Sequence, residues 1–107
     1  MARKANRVTE ADVAFATLQI AAGRTDGTAT FHRLKKELPD YLKLSAEDQA
    51  QSLTRPNEEL WEQLIRNIKS HSDTPGNIIC EGYATHVPRV GYRITDSGRR
   101  YLKRKGY

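Results

Sequence analysis

Apolar residues recur at helical spacing in the first part of the chain. Val13, Leu18 and Ala21 share one face of a segment that Thr9 can open as an N-cap. This pattern predicts a first helix over residues 9–23.

A second helix is predicted in the stretch FHRLKKELPDYL. Phe31, Leu34 and Leu38 repeat at helical spacing, and Pro39 is expected to end the helix because proline lacks a backbone N–H. Further along, Ser45 and Asp48 stand in the S-x-x-D register of a capping box, which predicts a short third helix.

The longest apolar stripe predicts a helix from Glu58 to Ser70. Trp61, Ile65 and Ile68 lie on one side of it, and acidic residues precede basic ones, as the helix dipole favours.

The strand signals are shorter. Thr28 to Thr30 predicts a brief strand before the second helix, and IICEGYATHVPRVGYRIT predicts two strands joined by the polar segment ATHVPR. Cys80 falls in the first of these and is predicted to be a small core residue. Thr95 or Asp96 then caps a last helix.

This order predicts an α+β fold, a winged helix-turn-helix with three to five helices and a small C-terminal β-hairpin wing. The predicted parts are a basic N-terminal arm (1–8), a single winged-helix domain (9–104) and a frayed C-terminus (105–107). The helix before the hairpin occupies the position of a recognition helix.

Charge changes the picture because of where it lies. The 107 residues carry a net charge of +5, yet all 13 acidic residues lie between positions 8 and 98, so the basic excess is at the two ends. This distribution favours an anionic polymer as partner, although charged ends also serve solubility alone. With one cysteine, no apolar membrane span and no signal-peptide pattern, the sequence predicts a cytoplasmic protein.

Two stretches carry a resemblance to a known family. ATFHRLKKELPDYLKLSAEDQ and GYRITDSGRRYL resemble the N-terminal winged-helix domain that precedes the nuclease in Mrr-type restriction endonucleases. The resemblance covers residues from about 11 to 104 and implies a DNA-reading module. The chain ends where the family's nuclease would begin, so the resemblance does not imply nuclease activity.

On the long helix, four residues are candidates for DNA contact. Arg66 has the geometry to pair with guanine and Gln63 with adenine, while Lys69 and Ser70 are suited to phosphate. The alternative is a solvated face on which Arg66 pairs with Glu62 at i,i+4.

The other candidate contacts lie on the predicted wing, on the second helix and in the arm. Arginine at a wing tip can contact a phosphate or enter the minor groove. The N-terminus of the second helix can bind a phosphate. A basic arm can enter the minor groove. Each group has a plain alternative as solvated surface. The candidates are Arg89, Arg93, Thr28, Thr30, Arg33, Lys36, Arg3, Lys4 and Arg7.

No motif for catalysis, metal, cofactor or small-molecule binding is present, so the sequence predicts a non-enzymatic protein that binds double-stranded DNA, as a bacterial regulator or a stand-alone DNA-reading module. A homodimer would use the first and last helices, by elimination. Two rivals remain: a protein-interaction winged helix, favoured by the three glutamates of the long helix, and an RNA- or ribosome-binding protein, which shares the basic ends.

Overall fold

The computed structural model describes residues 7–55 and 57–107. Arg3 and Lys4, two of the predicted arm contacts, lie outside the described residues. The described chain forms four helices and three strands in an α+β arrangement, which confirms the predicted class and is compatible with a winged helix. Their bounds are α1 Glu10–Ala22, β1 Thr28–Thr30, α2 Phe31–Tyr41, α3 Leu60–Ser70, β2 Ala84–Val87, β3 Gly91–Ile94 and α4 Asp96–Arg104.

The three strands form one antiparallel sheet with β3 in the centre. Its order is β1-β3-β2, with Thr30 opposite Gly91 and Val87 opposite Gly91 on the other side. Because side chains alternate across a strand, Tyr92 and Ile94 face the core while Arg93 faces outward.

The core lies between the helices and the inner face of the sheet. Its largest members are fully or almost fully buried and come from α1, α2, α3, β3 and α4: Val13, Leu18, Leu34, Leu38, Trp61, Ile65, Ile68, Tyr92 and Leu102. None of the helices in the described parts of the chain combines the length and apolar character that a membrane crossing needs.

Threonines cap three helices, as their positions in the sequence indicate. Thr9 accepts from the Asp12 amide while Asp12 accepts from the Thr9 amide, a complete capping box for α1. Thr30 and Thr95 accept from backbone amides three residues on and cap α2 and α4. Thr95, rather than Asp96, is therefore the cap of the last helix.

Two helix predictions fail near the middle of the chain. Pro39 does not end α2, which continues to Tyr41, with the Leu42 amide bonded to the Leu38 carbonyl. Pro39 lacks the N–H that would bond to the Lys35 carbonyl four residues earlier. Because Lys35 is exposed, water can solvate this carbonyl, and the last turn of the helix tolerates the proline.

The predicted third helix is a turn instead. Ser45 and Asp48 do exchange the reciprocal bonds of a capping box. However, the carbonyls of Asp48 and Ala50 accept from the first amides of α3, at Trp61 and Leu60. These bonds take the place of a continued helix, and they also explain why α3 begins at Leu60 rather than Glu58.

Asp48 is a fully buried carboxylate that holds the N-terminal segment to this turn. It accepts from Arg7 Nε at 2.7 Å, from the Val8 amide and from Ser45. Arg7 is therefore fixed in the fold, which corrects its assignment to a free arm. Burial alone would raise the pKa of Asp48, but these hydrogen bonds outweigh it and hold the pKa below its ordinary value.

Replacing Asp48 with asparagine should lower the free energy of unfolding by about 1.5 kcal/mol near neutral pH, since hydrogen bonds to a buried charge are removed. A lowered folded-state pKa stabilises above the unfolded pKa of about 3.9, and this stabilisation is lost as pH falls through the folded value. Urea unfolding at pH 7 and at pH 3 should therefore show a smaller difference between wild type and Asp48→Asn at pH 3. A difference that stays constant across this range would contradict the assignment.

The segment before the hairpin also differs from its prediction. Ile78 to Gly82 forms turns rather than a strand, and Ala84–Val87, predicted as the connection, is the first strand of the hairpin. The Asn77 side chain accepts from the amides of Ile79 and Cys80 and so stabilises the turn. Cys80 is exposed, so the prediction of a core cysteine was wrong.

Two glycines of GYRITDSGRRYL allow backbones to approach closely. A Cβ at Gly91 would lie 2.0 Å from the Ala29 carbonyl oxygen of β1, and one at Gly98 would lie 2.2 Å from the Tyr83 oxygen. These contacts join β3 to β1 and α4 to the start of the hairpin. The two positions therefore require glycine for steric reasons.

Candidate nucleic-acid interface

The exposed side of α3 presents basic and hydroxyl groups. Arg66, Lys69 and Ser70 lie on it, while Trp61 and Ile65 bury the opposite side against the core. The helical period therefore separates these two sets, as the sequence predicted.

A groove of about 420 Å³ lies beside these residues, between α2, α3 and the hairpin. We call it the basic groove. Its lining residues are Phe31, Lys35, Glu62, Ile65, Arg66, Lys69, Ser70, His86 and Tyr92.

Three aromatic rings form one wall of the basic groove. The Phe31 ring lies 5.6 Å from Tyr92 and 6.3 Å from His86, measured between centroids. The Tyr92 hydroxyl donates to the Ile65 carbonyl at 2.6 Å, and burial raises the pKa of Tyr92 to about 12. This hydroxyl therefore stays protonated at neutral pH and fixes the hairpin to α3.

Beneath the groove, Glu58 pairs with two of its cations. One carboxylate oxygen accepts from Arg66 and, at 3.4 Å, from Lys35. Its other oxygen, Oε1, is buried without a hydrogen-bond partner among the described residues. Arg66 pairs here with Glu58 rather than with Glu62, the partner that the helical spacing suggested.

The other two glutamates at the start of α3 are also engaged within the protein. Glu59 accepts from the Trp61 indole N–H at 2.8 Å, and Glu62 accepts from the Glu59 amide at 2.8 Å. Their charges thus lie at the N-terminal end of the helix, where the dipole stabilises them, and Glu62 also lines the basic groove.

Gln63 is held by the preceding loop. Its side-chain amide donates to the hydroxyls of Ser52, at 2.5 Å, and Thr54, at 3.1 Å. An adenine contact by Gln63 would require these bonds to break.

The hairpin turn places Arg89 in an unusual conformation. Val90 donates to the Val87 carbonyl across Pro88 and Arg89, and Arg89 has φ of 65°. Such a turn favours glycine at that position, and a longer side chain there costs about 1 kcal/mol. The Phe31 amide donates to the Val90 carbonyl, which joins the turn to the start of α2.

Other predicted contacts lie away from the basic groove. Arg93 is on the outer face of the sheet and donates to Thr28 Oγ1 at 3.0 Å. Thr28 is buried beside Arg93. Of the two threonines proposed to meet a phosphate, Thr30 is the one at the N-terminus of α2. Arg33 pairs with Glu37 along α2.

Lys36 is exposed on α2 but does not line the groove, unlike its neighbour Lys35. Sequence reasoning did not single out Lys35. Its spacing of four residues from Phe31, which places both on one side of α2, is the signal that would have found it.

Within residues 7–55 and 57–107, no group of three or more histidine, cysteine, aspartate or glutamate side chains is placed to hold a metal ion. Comparison with models of known protein families, with curated proteins and with solved structures found no match to this chain. The resemblance to the Mrr-type N-terminal domain therefore stays a prediction.

Proposed function

We propose that this protein is a winged-helix protein that binds double-stranded DNA through the basic groove and the adjacent hairpin turn. The order β1, α2, α3, hairpin supports this, because the helix before the hairpin is the recognition helix of that fold. By this proposal α3 lies in the major groove and the hairpin is the wing.

The observation that carries the proposal is the concentration of cations on one side of the molecule. Lys35, Arg66 and Lys69 line the basic groove together with the acidic Glu62, and Arg89 stands at the tip of the adjoining hairpin. Lys69 and Arg89 form no ion pair with a described residue, so their charges are available to phosphate.

Arg66 is the proposed base-reading residue. Its guanidinium already forms a charge-assisted contact with Glu58, which restricts its side chain before any duplex arrives. Arginine pairs bidentately with guanine in the major groove, and a restricted side chain loses less entropy on doing so.

The test is binding of a random-sequence duplex, followed by fluorescence anisotropy over a range of salt concentrations. About four phosphate contacts predict a slope of about −3.6 when the logarithm of the association constant is plotted against that of salt. Binding that changes little with salt, or no binding at low salt, would contradict the proposal. If structured RNA displaces the labelled duplex as well as unlabelled duplex DNA does, the RNA-binding rival is favoured instead.

The protein-interaction rival rested on the three glutamates of the predicted long helix. Glu58 is ion-paired with Lys35 and Arg66, so one of these three charges is compensated within the protein. Glu59 and Glu62 accept from neutral N–H groups and keep their charge. A mobility shift beside a light-scattering mass distinguishes the two functions.

A further inference from the structure

A second set of basic residues covers the exposed side of α4. Arg99, Arg100, Lys103 and Arg104 are all exposed, and at 3.6 residues per turn they span about 140° of the helix. Leu102 is buried on the other side. We call these four residues the α4 face.

The α4 face carries one carboxylate, since the exposed Asp96 at the start of α4 lies on the same side, three residues before Arg99 and four before Arg100. None of its four residues forms an ion pair with a described residue, whereas Lys35 and Arg66 in the basic groove are both paired with Glu58. Arg99 donates to the Ala22 carbonyl and Arg100 to the Ser97 hydroxyl, and these bonds orient the side chains without cancelling their charge. Four cations against the single carboxylate of Asp96 leave this side of α4 with a net positive charge, and such a surface attracts a polyanion.

The α4 face and the basic groove lie on different sides of α1. Phe15 of α1 contacts the rings of Tyr101, at 6.1 Å, and Tyr107, at 5.2 Å, so this side of α1 carries α4 and the residues after it. Glu10, which is about 140° away around α1, bonds to His71 at the end of α3 at 2.7 Å. Helix α1 therefore separates the two helices, and the cations of each point outward.

We propose that the α4 face binds a second segment of duplex DNA, so that one molecule bridges two duplexes. This inference rests on the proposed function, because the basic groove supplies the first contact. DNA is stiff over about 150 base pairs, and the described domain measures 36 × 32 × 27 Å. A nearly straight duplex in the basic groove thus leaves the α4 face free for another.

The test is capture of a fluorescent duplex by a second, bead-bound duplex in the presence of the protein at low salt. Wild type should capture it. The variant Arg100→Gln/Lys103→Gln should capture at least about tenfold less while binding a single duplex within about threefold of wild type, since it loses two of the four cations of one face. The control Arg24→Gln/Lys43→Gln loses the same charge at two exposed residues outside both surfaces and should behave as wild type.

Each alternative has its own outcome. If wild type binds one duplex but captures no second, the bridging inference fails and the proposed function stands. Bridging that persists in the α4 variant would assign it to a dimer with two basic grooves, and would also overturn the inference. If wild type binds no duplex at all, both the proposed function and the bridging inference fail.

Discussion

Replacing Gly91 with alanine is expected to lower the free energy of unfolding by about 3 kcal/mol or more. The added Cβ would lie 2.0 Å from the Ala29 oxygen and 2.8 Å from the Thr30 Cα, and both are backbone atoms that cannot rotate away. Either β1 separates from β3 or the centre of the sheet shifts, and overpacking of a rigid site is costly. Thermal unfolding should show a midpoint lower by about 15 °C.

Gly23→Ala is the matched control. Gly23 has ordinary helical φ of −81°, and its nearest neighbour to an added Cβ, the Ile20 oxygen, is 3.5 Å away. This variant should leave stability unchanged or raise it by about 0.5 kcal/mol, because alanine has less freedom in the unfolded chain. Equal stability of the two variants would show that β1 does not approach β3 as closely as described.

The double variant Lys69→Gln/Arg89→Gly is expected to lower affinity for duplex DNA by about 30-fold. Each of these two side chains contributes about 1 kcal/mol to binding through its contact with a DNA phosphate. The salt slope should become shallower by about 2. The fold should not weaken, because Lys69 makes no ion pair with a described residue and glycine relieves the positive φ of Arg89. Anisotropy and urea unfolding measured together would thus separate binding from stability.

Arg24→Gln/Lys43→Gln again serves as the control of equal charge. Both residues are exposed and neither lines the basic groove. If this control weakens binding as much as the double variant does, binding follows net charge alone and the basic groove is not the site. A double variant that unfolds would contradict the account of the hairpin turn.

The sequence predicted those elements whose signals are local. The N-cap at Thr9 and the apolar side of α3 each depend on residues within a few positions, and both occur as expected. The register of Ser45 and Asp48 was equally local but misleading, because the backbone carbonyls that follow bond to α3. Tertiary hydrogen bonds of this kind leave no periodic pattern in the chain.

The same limit applies to the candidate site. Arg66, Lys69 and Arg89 were identified from helix periodicity and from their place near a hairpin, and all three are exposed in the structure. The pairing of Glu58 with Lys35 and Arg66, and the capture of Gln63 by Ser52, join residues whose proximity depends on how α2, the loop and α3 pack. Spacing alone could not assign those partners.

The central position of β3 has a consequence for the order of folding. Both β1 and β2 hydrogen-bond only to β3 within the described sheet, and residues 31–90 separate β1 from β3 along the chain. During synthesis β1 therefore stays unpaired, with its backbone groups solvated, until β3 has left the ribosome. Pairing across such a long loop is slow compared with helix formation, so the helices form first and the sheet closes the molecule last.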